Sequence, residues 1–228
     1  MSDTPARRTG VDYVEVGAAL LAAAAEGEAG LVATIVAPAA LVLGSAQPES
    51  DAATTIDVVR RGTGGGAVLC DAGTLLIDLA VPAGHALAPE DVTDAYRPLG
   101  EALQVTLSGL GVDCRTVTVE EARAMDDARK AAARQACWAG LSPYELVLAD
   151  GRKLVGLAQR RRRGAVLYQI AIPVATPPAA VADHLVAGVA LEPFLRSTAM
   201  LSGAVGCGSA TPSGVWDALR APFTALIG

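Results

Sequence analysis

Between residues 60 and 71 the chain reads Arg60-Arg61-Gly62-Thr63-Gly64-Gly65-Gly66-Ala67-Val68-Leu69-Cys70-Asp71. Glycine has no Cβ, so such a loop brings bare backbone close to another group. Successive N–H groups in it can converge on an anion. Arg60 and Arg61 at its start suit phosphate or carboxylate. The stretch reads as an anion cradle or as a glycine-rich turn between strands. A second stretch, Asp150-Gly151-Arg152-Lys153-Leu154-Val155-Gly156-Leu157-Ala158-Gln159, sets a lysine just past a tight hairpin turn. Lys153 is then a solvated strand end or a cation serving the same site as the glycines. Cys137-Trp138 stands a few residues before Ser142-Pro143-Tyr144-Glu145-Leu146. A cysteine there is either a nucleophile or a buried, inert thiol.

The elements that must position these groups follow from the apolar pattern. Residues 1–10 are polar and read as a loose tail. Gly17 to Glu28 is alanine-rich and predicts a helix closed by Gly30. Leu31–Ala37, Ala40–Leu43, Ile56–Val59, Ala67–Leu69 and Leu75–Val81 predict strands. Asp78 interrupts the last of these and is read as an edge or solvent-facing residue. Pro89 to Leu110 predicts a helix kinked at Pro98. Cys114–Val119 predicts a strand, and Glu120–Gln135 an exposed helix or a mobile segment near the site. Glu145–Ala149, Lys153–Arg160 and Ala165–Val174 predict strands. The basic run Arg160 to Arg163 is a solvated hairpin tip or a dock for an acidic partner. The chain after Pro178 is read as helical through Leu191. Residues 203–208 read as a small-residue loop. Thr211-Pro212 opens a last helix, with Thr as cap and Pro in the first turn. The fold class is α+β, a mixed β-sheet with packed helices, over one domain spanning 1–228.

The bulk composition narrows the function. The chain is 228 residues long, 52% hydrophobic and 18% charged, enough to bury a sizeable core. Its net charge of −6 argues against a general nucleic-acid binder. Cys70, Cys114, Cys137 and Cys207 are widely spaced, and with only two histidines they argue against a zinc site; no metal ligand set is expected. The lone cysteines point to a reducing, cytoplasmic setting. No stretch reads as a membrane span or a signal peptide.

Taken together, the two glycine-containing stretches resemble the lipoate–protein ligase and octanoyltransferase family, within the wider biotin/lipoate ligase fold. Members carry two arginines, a glycine triplet, an apolar pair and His-Asp, and a lysine in a Lys-x-x-Gly-x-Ala pattern. The matching residues are Arg60, Arg61, Gly64, Gly65, Gly66, Ala67 and Asp71 in the first, and Lys153, Gly156 and Ala158 in the second. The resemblance runs from about Ala40 to Ile172. It implies a biotin/lipoate ligase-like catalytic domain. As a ligase, the chain activates lipoate or octanoate with ATP and Mg²⁺ to an acyl-adenylate. It then passes the acyl group to a lysine of a lipoyl-carrier domain. Lys153 would donate to the acyl carbonyl or phosphate oxygens, and Arg60 or Arg61 would offset phosphate charge. One branch of the family shares the Cys-aromatic pair and the Ser-x-Tyr-Glu-Leu run. There the cysteine, here Cys137, is the nucleophile, and the octanoyl group comes from acyl carrier protein without ATP. The departures are Cys70 in place of His, Leu157 at a position usually small and polar, and Tyr168-Gln169 in place of a His–Gly pair. They leave open a third reading, a non-catalytic relative that binds acyl groups or lipoyl domains. The chain also lacks the C-terminal accessory domain of many bacterial ligases, so a separate accessory subunit is a conceivable partner.

Overall fold

The computed structural model describes residues 3–162, 164–186, 190–204 and 210–228. Cys207, Arg163 and most of the loop expected at 203–208 lie outside them, as does part of the helix expected up to Leu191.

The chain starts with a strand, not a loose tail. β1 (Ala6–Arg8) pairs in parallel with β2 (Gly30–Val36). Three residues carry no periodicity of their own, and their partner lies more than twenty residues away, so nothing local marks the pairing. Thr9 then closes a capping box with Asp12 and starts α1 (Gly10–Ala25), seven residues ahead of the expected start. After β2 come β3 (Ala40–Leu43), β4 (Asp57–Arg60), β5 (Val68–Cys70) and β6 (Thr74–Pro82). α2 (Arg97–Gly109) begins where a kink was expected: Pro98 sits in its first turn, where a missing N–H costs nothing. β7 (Cys114–Thr116), α3 (Val119–Arg123) and α4 (Asp127–Gln135) lead to β8 (Leu146–Leu148), β9 (Lys153–Arg162) and β10 (Ala165–Pro173). Residues 178–184 form a 3₁₀ turn where a regular helix was expected. The short α5 (Glu192–Leu195) precedes α6 (Pro212–Ile227), capped by Thr211 as read from the sequence.

The strands form two sheets. The larger has the order β1-β2-β6-β10-β9-β8-β7, the smaller β4-β3-β5, and both mix parallel and antiparallel pairs. Alternation along β6 sorts the core. Leu75, Ile77, Leu79 and Val81 pack with Leu99 and Leu103 of α2 and Trp216 and Phe223 of α6. Leu76 packs with the small sheet and Ala80 with α1. The groove between the two sheets, with α1 along one side, is where the chemistry-bearing residues gather.

Asp78 lies on that inner face, fully buried, not at an edge. Register explains it: Gln169 of β10 stands directly opposite and donates from Nε2 to Asp78 Oδ1 at 2.6 Å.

Candidate active site

The glycine loop is shaped from behind by Arg61. Its guanidinium is almost sealed from water and donates to Thr63 Oγ1 (2.9 Å) and to the carbonyls of Val42 (3.2 Å), Gly64 (2.8 Å) and Gly66 (2.8 Å). A planar guanidinium with five N–H groups can span these carbonyls at once. Arg61 therefore meets carbonyl oxygens where an anion was expected. Arg60 likewise donates to the carbonyls of Gly44 (3.1 Å) and Gln47. In a trans peptide, N–H and C=O point in opposite directions. With the Gly64 carbonyl turned to Arg61, the Gly65 N–H is turned away from it. Among the described residues the amides of Gly64, Gly65 and Gly66 donate to no protein acceptor. Gly65, at φ 94°, needs the left-handed region that glycine supplies.

Cys137 is stitched to this loop. The Ala67 N–H donates to the Gln135 carbonyl (2.8 Å), and the Cys137 N–H donates to the Ala67 carbonyl (3.0 Å). A Cβ placed on Gly65 would lie 3.9 Å from Cys137 Sγ. The thiol is free and partly exposed. Lys153 opens β9, as expected, but it is buried. Its Nζ lies 2.8 Å from Glu145 Oε2 and donates to the carbonyls of Cys137 (3.1 Å) and Gly140 (3.0 Å). It also sits 5.6 Å from the centre of the Trp138 ring. Glu145 accepts from the Ser142 N–H (2.7 Å) and the Leu157 N–H (2.9 Å). The preceding residue, Tyr144, holds φ 65°, a left-handed turn rare for a side chain of this size, and the chain turns inward at Glu145.

These residues bound two connected spaces. A polar cavity of about 350 Å³ is lined by the three glycines, Cys137, Lys153 and Ala158. A narrow, mostly apolar slot of about 30 Å³ shares Cys137, Leu157 and Ala158 with it, and runs past Gly156 and Trp138 towards Cys70, Tyr13 and Gln169. Leu157 lines both spaces. The slot's inner end is polar. Gln169 donates to Tyr13 Oη (3.1 Å) as well as to Asp78, and accepts from Thr63 Oγ1 at 2.6 Å. Burial pushes Asp78 up to about 7 against the Gln169 hydrogen bond, and pushes the Cys70 thiol up to about 12. Burial also holds the Tyr13 hydroxyl well above its ordinary value, reinforced by the charge of Asp78.

Of the residues singled out from the sequence, Gly64, Gly65, Gly66, Cys137, Lys153, Gly156 and Ala158 come together here. Ala67 contributes its backbone. Asp71 instead caps the β5–β6 turn, accepting from Gly73 N–H (2.9 Å), Thr74 Oγ1 (3.3 Å) and Thr176 Oγ1 (2.6 Å). Glu145, Tyr13 and Gln169 were not expected as site residues. Glu145 had a sequence signal, a carboxylate in an apolar run shortly before a lone lysine. Gln169 was marked in the sequence only as a departure from the family pattern, and Tyr13 had no signal, since helix packing alone brings it in. Among the described residues no group of three His, Cys, Asp or Glu side chains is placed to hold a metal.

Fold and site thus define a catalytic-domain architecture with a cysteine and a buried lysine beside a glycine loop. The family model for the lipoyl protein ligase A/B catalytic domain matches residues 16–193, and the chain belongs to that family. Octanoyltransferase LipM of Staphylococcus aureus is 37% identical over 113 residues, covering 48% of this chain and 39% of that protein. LipM of Lysinibacillus sphaericus is 39% identical over 116 residues, covering 50% and 40%. The match thus spans about two fifths of the length of these relatives. A lipoate-protein ligase A structure bound with ATP superposes with a TM-score of 0.72 at 19% identity, covering 98% of this chain and 83% of that one. A bipartite lipoate protein ligase from Thermoplasma acidophilum gives 0.68 at 19%, covering 97% and 81%. At these identities the structural likeness is one of fold: a mixed sheet with packed helices.

Proposed function

We propose that this chain is a cysteine-dependent octanoyltransferase. It moves an octanoyl group from an acyl-carrier thioester to the lysine of a lipoyl-carrier domain, without ATP. The observation that carries the reading is the place of Cys137. Cys137 lines both the apolar slot and the polar cavity, and its sulfur lies 3.9 Å from where a Cβ on Gly65 would stand. The octanoyltransferase names of the relatives support it as well.

In this reading the Cys137 thiolate attacks the donor carbonyl. The Gly65 N–H stabilises the resulting oxyanion, the bond to the carrier sulfur breaks, and the proton lost by the Cys137 thiol ends on the departing carrier thiol. The acceptor amine then attacks the Cys137 thioester. An amide forms, and the amine's proton returns to the sulfur. Lys153 holds the Cys137 carbonyl and so positions the nucleophile. The alkyl tail of the octanoyl group enters the slot by displacing its walls, because about 30 Å³ is too small to hold it. Its burial is worth ~0.8 kcal/mol per CH₂. A free thiol of this kind fits a reducing cytoplasm. No helix among the described residues is long and apolar enough to cross a membrane.

The second reading is the ATP-dependent ligase acting on lipoate with Mg²⁺. The unpaired amides of the glycine loop favour it, since they suit an adenylate phosphate as well as an oxyanion. Against it, the three donors of Lys153 are already taken. The deciding experiment mixes the protein with octanoyl-acyl carrier protein and an apo lipoyl domain, without ATP, and weighs the acceptor by mass spectrometry. Octanoylation that Cys137→Ser abolishes is expected. Modification that requires ATP and survives Cys137→Ser would establish the ligase instead. Acyl binding with no turnover under either regime would point to a non-catalytic relative.

A further inference from the structure

Beyond the cavity, β9 carries positive charge on the face that Ala158 presents to it. Side chains alternate across a strand, so Gly156, Ala158, Arg160 and Arg162 share one face. Gln159 and Arg161 take the other, where they donate to the carbonyls of Val92 and Pro89. Arg160 lies across the start of the glycine loop. A Cβ built on Gly62 would come within 2.2 Å of Arg160 Nη1, so the guanidinium rests on bare backbone. From there Arg160 bounds a cleft of about 320 Å³ that also takes in Arg60, Arg61, Gly62 and Ser45, with α1 as its apolar side. No carboxylate lines this cleft. Arg60 and Arg61 are turned to backbone carbonyls. Arg160 has neither a hydrogen bond nor an ion pair among the described residues. A second cleft lies between Arg160, Arg162 and α1, and there Glu26 adds a carboxylate, so the uncompensated charge is confined to the first.

In a chain of net charge −6, three guanidinium groups meeting without a counter-charge are a local exception. Like charges repel, and an anion in the cleft would reverse that cost. Guanidinium forks match phosphate oxygens. The cleft also has the right bearing. Gly156 packs against Trp138 next to Cys137, and Arg160 stands four residues further on, roughly 13 Å at strand rise.

We infer that the Arg160 cleft binds the phosphate ester of the acyl donor, with the donor's flexible arm running along β9 and its thioester at Cys137. This rests on the octanoyltransferase reading. The same phosphate chemistry comes from two sources, the prosthetic arm of a carrier protein or free coenzyme A.

Two measurements test it. In calorimetry, coenzyme A and phosphate-free pantetheine are titrated into the wild type and Arg160→Gln. Coenzyme A is expected to bind the wild type and to lose at least tenfold in affinity in the variant, with pantetheine unaffected by the substitution. In transfer assays, Arg160→Gln is expected to raise KM about tenfold for octanoyl-carrier protein and octanoyl-coenzyme A, with kcat and the octanoyl-pantetheine reaction unchanged. The donor with the lower wild-type KM identifies the source. Equal effects on all three donors, no effect on any, or coenzyme A affinity unchanged by the substitution would overturn the inference. A rise confined to the carrier protein would overturn it too, assigning Arg160 to the carrier's surface. If no donor supports transfer, the proposed function fails and the calorimetry still decides the cleft.

Discussion

Lys153 Nζ stands 2.8 Å from Glu145 Oε2, with the two side chains 2% and 1% exposed. An ion pair sealed from water is costly to break on one side, because the survivor is left charged and desolvated. Lys153→Met is expected to cost about 3–5 kcal/mol in urea unfolding. A double-mutant cycle with Glu145→Gln should return a coupling of roughly 2–3 kcal/mol. Additive effects at the two positions would mean that the pair does not act as a unit.

Arg61 predicts a loss of rate that charge alone cannot rescue. Lysine keeps the charge but cannot hold the carbonyls of Gly64 and Gly66 together. With the loop released, the Gly65 amide loses its aim. Arg61→Lys should lower kcat for acyl transfer about 10²-fold, the usual scale for losing one oxyanion donor. KM should change little, and circular dichroism should report a retained fold.

A glycine outside the triplet is tightly constrained as well. A Cβ on Gly44 would lie 1.8 Å from the Gly65 carbonyl oxygen, so Gly44→Ala must move the loop. Transfer should fall at least tenfold. Gly109, at the end of α2, has nothing within 4 Å of such a Cβ. Gly109→Ala should leave activity intact and raise stability by up to ~1 kcal/mol. Equal activity losses in both variants would contradict this account.

Asp78 makes stability fall as pH rises. Burial raises its folded pKa to about 7, while the unfolded carboxyl titrates near 4. Between those values the folded state holds a proton that the unfolded state has lost. Stability contributed by the neutral form is therefore complete below about pH 4 and gone above about pH 7, with a slope on the order of 1.4 kcal/mol per pH unit at its steepest. Asp78→Asn cannot ionise. Its unfolding free energy relative to wild type should climb from pH 5 to pH 8, and a pH-independent difference would refute the buried-carboxyl account. Tyr13, Gln169 and Arg8 are the groups that bear on Asp78.

The local chemistry was legible in the sequence where it is written in consecutive residues. The glycine triplet, the Asp150-Gly151 turn that starts β9 at Lys153, and the Thr211-Pro212 helix start all fall where their residue types put them. What depended on partners distant in sequence was not legible. β1 exists only because β2 accepts it, and Asp78 faces inward because register sets Gln169 opposite. Arg61 looked like an anion ligand because its nearest competitors, the loop's own carbonyls, cannot be aimed from sequence. Pro98 fits a kink or a first turn equally well by local rules, and the turn before it decided.

The double hydrogen bonding of Ala67, to Gln135 on one side and Cys137 on the other, has a mechanical meaning. Sulfur and amide cradle ride on one clip, so in the proposed transfer the space for an acyl tail must open at the opposite side, where Tyr13 and β10 meet. Dilation and alignment are thereby assigned to separate parts of the molecule, and a longer tail can be admitted without loosening the geometry in which bonds are made.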